Sequence, residues 1–139
     1  ARRGHRVLAD EVNALQRDFI RFRVDRHHLH DRVSVLDPWT PPPAAVADAI
    51  TAFDVLEHLS DGAATLDERL LPALRPGGRL IENSPFVVNV SNPMHHRDWG
   101  LDDHLRSTGL TLEQTMADGT RAWRMSRPYA SSTGSGTGV

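Results

Sequence analysis

The sequence predicts an α/β fold: a mostly parallel sheet with crossover helices, closed by a C-terminal antiparallel hairpin. Three observations predict it. Ala49–Phe53 is a short apolar run, and Leu66, Leu70, Leu71 and Leu74 follow it at helical spacing before the strand that begins at Arg79. Such a strand–helix–strand unit makes two parallel neighbours. Arg75-Pro76-Gly77-Gly78 stands between helix and second strand, where Pro cannot continue a helix and Gly accepts positive φ. Near the C-terminus, Ala117-Asp118-Gly119 separates Leu110–Met116 from Thr120–Ser126, and Asp-Gly is a strong hairpin signal.

The other elements follow in order. Arg6–Ala9 reads as a strand running into Asp10-Glu11-Val12-Asn13. A helix is expected from Ala14 to His28, with Asn13 as its N-cap and Leu15, Phe19, Phe22 and Val24 as its buried stripe. His27, His28 and His30 read as a solvated helix end, where positive charge meets the dipole favourably. Arg32–Leu36 is a second strand ending at Asp37, and Pro38–Pro43 a stiff extended loop. Asp54–His58 is an acidic loop at the end of the Ala49–Phe53 strand. Phe86–Trp99 is irregular and polar, and a short helix leads to Gly109.

Composition narrows the class. The 139 residues suit one small domain. A net charge of −2 gives no electrostatic footprint for nucleic acid or an anionic membrane, and Trp39, Trp99 and Trp123 are too scattered for a stacking platform. Without cysteine there is no disulfide framework, thiolate metal site or cysteine nucleophile. No run approaches the roughly 18 apolar residues of a membrane span, and no secretory leader is visible, so a cytoplasmic protein is expected. Residues 1–128 are expected to form one partial domain, and 129–139, rich in Ser, Gly and Thr, a disordered tail. No Gly-x-Ser-x-Gly elbow, Walker loop or zinc-finger spacing occurs.

Phe53-Asp54-Val55-Leu56-Glu57-His58 and Leu74-Arg75-Pro76-Gly77-Gly78-Arg79-Leu80, at this separation, resemble the "FDVxEH" and "LxPGGxL" segments of class I S-adenosylmethionine-dependent methyltransferases. The resemblance implies a Rossmann-like sheet of strand order 3-2-1-4-5-7-6, the last two strands forming the antiparallel hairpin. The family's first strand and its Gly-x-Gly-x-Gly loop have no counterpart here, because only Ala1-Arg2-Arg3-Gly4-His5 precedes the first predicted strand. The domain is therefore expected to be truncated at its N-terminus. A longer chain, a partner chain or a dimer would complete the sheet, because unmade buried backbone hydrogen bonds cost about 1–3 kcal/mol each.

The resemblance also implies site residues. Glu11, with Asp10 as the fallback, matches the acid that holds the donor's ribose. Asp37 matches the acid that meets adenine. Asp54 lies at the cofactor end of the fourth strand. From the residues themselves, Asp54, Glu57 and His58 have i, i+3, i+4 spacing, which on a helical turn shares one face and makes a divalent-metal site or a structural turn. His95 and His96 are the candidate bases, since imidazole titrates near neutrality. Glu82, Asn83, Phe86 and Trp99 lie where an acceptor is expected, at or beyond the carboxyl end of a parallel strand.

The expected activity is methyl transfer from S-adenosylmethionine to oxygen or carbon of a small molecule, with a divalent metal as a second cofactor if Asp54, Glu57 and His58 form a metal site and not a structural turn. The alternative is a non-catalytic methyltransferase-like binding or scaffold subunit, or one part of a split enzyme. A nicotinamide-dependent enzyme fits the terminal hairpin and the Pro-Gly-Gly segment less well.

Overall fold

A computed structural model of the chain describes residues 4–91 and 93–130. The Ser131–Val139 part of the expected tail lies outside the described residues. Two compact units divide the chain, Ala1–Pro41 and Pro42–Val139.

In the first unit, strands β1 (Val7–Ala9) and β2 (Val33–Val35) pair in parallel, Val7 opposite Val33. Helix α1 (Ala14–Arg26) connects them. Asn13 caps it as expected, its Oδ1 accepting from the amides of Leu15 at 2.9 Å and Gln16 at 3.2 Å. The expected buried stripe is not formed. Val24 is buried, whereas Leu15 is 77% exposed and Phe19 and Phe22 are each 53% exposed. Two strands of three residues offer too little apolar surface to cover a helix of thirteen.

The second unit holds a four-stranded sheet in the order β3-β4-β6-β5. Strand β3 (Ala47–Phe53) runs parallel to β4 (Leu74–Asn83), with Ile50 opposite Leu80. Their crossover is α2 (Gly62–Thr65), a π-helical turn (Leu66–Leu70) and α3 (Leu71–Ala73). Helix α4 (Leu101–Ser107) leads to the hairpin of β5 (Leu110–Thr115) and β6 (Arg121–Met125). The amide of Thr120 donates to Asp118 Oδ1 at 2.9 Å and Gly119 takes φ +87°, which tightens the turn. Leu66 and Leu71 from the crossover, Leu105 from α4, and Leu80 and Trp123 from the sheet are fully enclosed and form the centre of the core.

Two details depart from the expectations. The Pro-Gly-Gly segment lies inside β4 as a bulge and not as a turn ahead of it: Ala47 faces Leu74, but Ala49 already faces Arg79. A Cβ at Gly78 would stand 2.8 Å from Leu74 Cδ1 and 2.9 Å from the Arg75 carbonyl oxygen, so the bulge closes only on glycine. Tyr129, the first residue of the expected tail, packs against the core.

The strand orders carry the topology. Removing strand one from 3-2-1-4-5-7-6 leaves 3-2 and 4-5-7-6. The chain has β2-β1 as one sheet and β3-β4-β6-β5 as another, with two parallel and two antiparallel pairings of the matching sense. Among the described residues β1 pairs only with β2, and β3 only with β4. Each keeps one unpaired edge.

Candidate functional site

The carboxyl ends of β3 and β4 bring the polar residues of the second unit together. Asp54 ends β3 at φ +49°, a left-handed conformation that Asp tolerates better than most side chains. Its amide donates to the Asn83 carbonyl oxygen at 3.1 Å, which ties the two strand ends together. The chain then enters the short 3₁₀ turn Leu56–His58.

Glu57 in this turn is fully buried, and both of its carboxylate oxygens lack a hydrogen-bond partner. A buried polar group without a partner costs roughly 1–3 kcal/mol, more when charged. Beside it the segment Pro85–His96 folds back. The His96 amide donates to the Glu57 carbonyl oxygen at 2.7 Å. His95 Nδ1 stands 2.9 Å from the Pro85 carbonyl oxygen, and His58 Nδ1 stands 3.3 Å from that of Met94. The two rings meet edge to face with centroids 4.7 Å apart. One ligand atom from each of Glu57, His58 and His95 lies within 4.8 Å of the others.

This cluster revises the expected metal set. Among the described residues Asp54 is not part of it, and His95 takes its place. The spacing argument assumed a helical turn running from Asp54, but the positive φ there starts the turn two residues later. Sequence spacing could not pair Glu57 with a histidine 38 positions on; the carbonyl contacts of the returning loop do so.

Phe86 and Trp99 form an apolar wall, their rings 6.3 Å apart and nearly perpendicular. Trp99 also presses on the start of α2: a Cβ at Gly62 would fall 2.6 Å from three atoms of its indole. Its other neighbour is His104, which bonds Asp67 at 3.0 Å. His96 is exposed, and Asn83 is half-buried at the end of β4.

Glu82 has a different position from the one expected of it. Alternation along β4 puts it on the same face as Leu80, wholly enclosed. Its Oε1 accepts from Arg121 Nε at 2.6 Å and from Trp123 Nε1 at 3.1 Å. Arg121 lies directly across the antiparallel ladder and also bonds Asp102. Burial pulls the Arg121 pKa down, but the hydrogen bonds and charges of Glu82 and Asp102 outweigh it and hold the pKa above the ordinary value. The carboxylate is thus committed inside the sheet. An Arg facing the position after Leu80-Ile81 was the sequence signal that could have shown this.

In the first unit, Glu11 follows β1 and accepts from the Asn13 amide at 2.7 Å through Oε1. Asp10 is exposed. Asp37 follows β2; its Oδ1 accepts from the Trp39 amide at 3.0 Å and its Oδ2 from the Thr40 hydroxyl at 3.3 Å. Both acids therefore have local structural partners at the strand ends, each made with a carboxylate oxygen. The sequence contains no Gly-x-Gly-x-Gly run.

No protein-family model matches the chain. A probable S-adenosylmethionine-dependent methyltransferase of Mycolicibacterium smegmatis is 33% identical over 86 residues, which cover 55% of this chain and 33% of that protein. A solved S-adenosylmethionine-dependent methyltransferase from Aquifex aeolicus superposes with a TM-score of 0.68 at 18% identity, covering 86% of this chain and 69% of that one. The geranyl diphosphate C-methyltransferase of Streptomyces coelicolor, solved with Mg²⁺, geranyl diphosphate and S-adenosyl-L-homocysteine, superposes with a TM-score of 0.65 at 19% identity over 81% of this chain and 47% of that one. The chain spans about one third of the length of the curated relative it matches. Together with the strand orders, these likenesses establish that the chain has the class I S-adenosylmethionine-dependent methyltransferase fold.

Proposed function

We propose that this chain is part of an S-adenosylmethionine-dependent methyltransferase acting on oxygen or carbon of a small molecule. The strand orders 3-2 and 4-5-7-6, with acids within two residues of the ends of β1 and β2, are the observation that carries this reading. The relative from Mycolicibacterium smegmatis supports it, and the geranyl diphosphate enzyme is a precedent for a small acceptor on this fold. When bound, the donor supplies an electrophilic methyl group, so the protein mainly positions the reactants.

Glu11 would hold the ribose diol, Asp37 the adenine, and Asp54 the cofactor end of the sheet. Phe86 and Trp99 would wall an apolar acceptor, with Asn83 orienting it. His95 or His96 would take the acceptor's proton. Glu82, closed off by Arg121 and Trp123, is left as a structural residue.

The unpaired edges of β1 and β3 favour a second reading, a split enzyme or scaffold subunit whose central strand comes from a partner. Calorimetric titration of the chain with S-adenosyl-L-homocysteine separates the two. The enzyme reading predicts one-to-one binding that Glu11→Ala weakens at least tenfold. Binding that appears only in a longer or partnered form supports the split reading, and no binding in any form contradicts both.

A further inference from the structure

We propose that Glu57, His58 and His95 form a site for a borderline divalent cation of the Zn²⁺ type, and not for Mg²⁺. Two observations carry it. Three ligand atoms of suitable kind converge within 4.8 Å. One of them belongs to a fully buried carboxylate with neither oxygen hydrogen-bonded. A buried carboxylate without a donor calls for a cation, and His58 and His95 each place a ring nitrogen within 4.8 Å of it.

The partners of the two imidazole rings fit as well. A carbonyl oxygen can only accept, so Nδ1 of His58 faces Met94 and Nδ1 of His95 faces Pro85 as N–H donors. Each ring then keeps its lone pair on Nε2. Histidine ligands ordinarily have this support, one ring nitrogen on a carbonyl and the other on the metal. Bonds of about 2.0–2.1 Å set ligand atoms roughly 3.3 Å apart on one ion, so binding draws together the three ligand atoms that now lie within 4.8 Å of one another.

The donor set selects the metal. Two imidazoles and one carboxylate suit Zn²⁺, Co²⁺ or Fe²⁺, whereas Mg²⁺ needs oxygen donors. Three protein ligands leave a coordination position open. With His95 a ligand, His96 alone keeps the role of base. The site does not depend on the methyl-transfer reading, because its test reads binding.

The test is a Co²⁺ titration of the chain followed by its visible spectrum, with Zn²⁺ and Mg²⁺ as competitors. The expected result is one Co²⁺ per chain, displaced by Zn²⁺ and not by millimolar Mg²⁺. Glu57→Gln and His95→Ala should each lower the affinity at least tenfold. Replacing His28 and His30 together by Ala should leave it unchanged, which excludes the histidines after α1. If Glu57→Gln does not fold, His95→Ala, on a half-buried loop position, decides. No Co²⁺ uptake, unchanged affinity in the site variants, loss in the His28/His30 variant or displacement by Mg²⁺ would each overturn the proposal.

Discussion

Glu57 and Glu82 lie in the same unit, both fully enclosed, and their surroundings are opposite. Through Oε1, Glu82 meets a guanidinium and an indole N–H from the neighbouring strand, and only its Oε2 has no hydrogen-bond partner. Glu57 meets no donor at all, only two imidazole rings at a distance. A buried carboxylate held by a guanidinium and a second donor is part of the framework. One without them is a candidate ligand site. The difference separates the strut of this sheet from its candidate site, although both residues stand near the end of a parallel strand.

The largest effect expected from this contrast is on the strut. Glu82→Ala leaves Arg121 half-paired and the Trp123 N–H without an acceptor. It should destabilise the fold by about 3 kcal/mol in urea unfolding, the low end for breaking a buried pair because Arg121 keeps Asp102. A change under about 1 kcal/mol would erase the distinction.

Next is the packing on the site side. Gly62→Ala drives a methyl group to 2.6 Å from the Trp99 indole, and overpacking of this kind costs about 1–3 kcal/mol. It should also weaken Co²⁺ binding, because Trp99 ends the loop that carries His95. Unaltered stability and unaltered binding would show that the loop is positioned by something else.

The smallest effect concerns Tyr129, a third polar group at the core, bonded to Asp67. Burial first, then its hydrogen bond to Asp67 and that residue's charge, push its phenol up to about 12. A raised folded pKa means that this contribution is fully present below the ordinary value of 10.0 and is lost as pH rises from 10 towards 12. Tyr129 is the sole tyrosine, so ultraviolet titration reads it directly. A midpoint near 10 would place Tyr129 in solvent.

Legibility in the sequence followed the range of the interactions. Asn13 as a cap and Asp118-Gly119 as a hairpin turn depend on neighbours two or three residues away, and both appeared as expected. The topology was legible through the spacing of two family segments. Long-range and face-dependent features were not. Leu15, Phe19 and Phe22 have helical spacing but no surface to pack on within their unit. Pro76-Gly77-Gly78 carries turn chemistry, yet its glycines serve a bulge within β4. Glu82 was expected where an acceptor would lie, and only the ladder partner Arg121 reveals its place. Glu57 and His58 were legible as a pair, whereas His95 joins them through loop contacts that no spacing rule contains.

The most direct test is the unfolding free energy of Glu57→Gln, measured in chelator and again with Zn²⁺. In chelator the variant should match or slightly exceed the parent, because the amide removes a buried group that wants a cation and breaks no hydrogen bond. With Zn²⁺ the parent should gain stability, by about 2.7 kcal/mol at a hundred times its Kd, and the variant should gain far less. If Glu57→Gln instead loses about 3 kcal/mol in chelator, as expected for Glu82→Ala, then Glu57 is a strut too and the contrast between the two carboxylates is wrong.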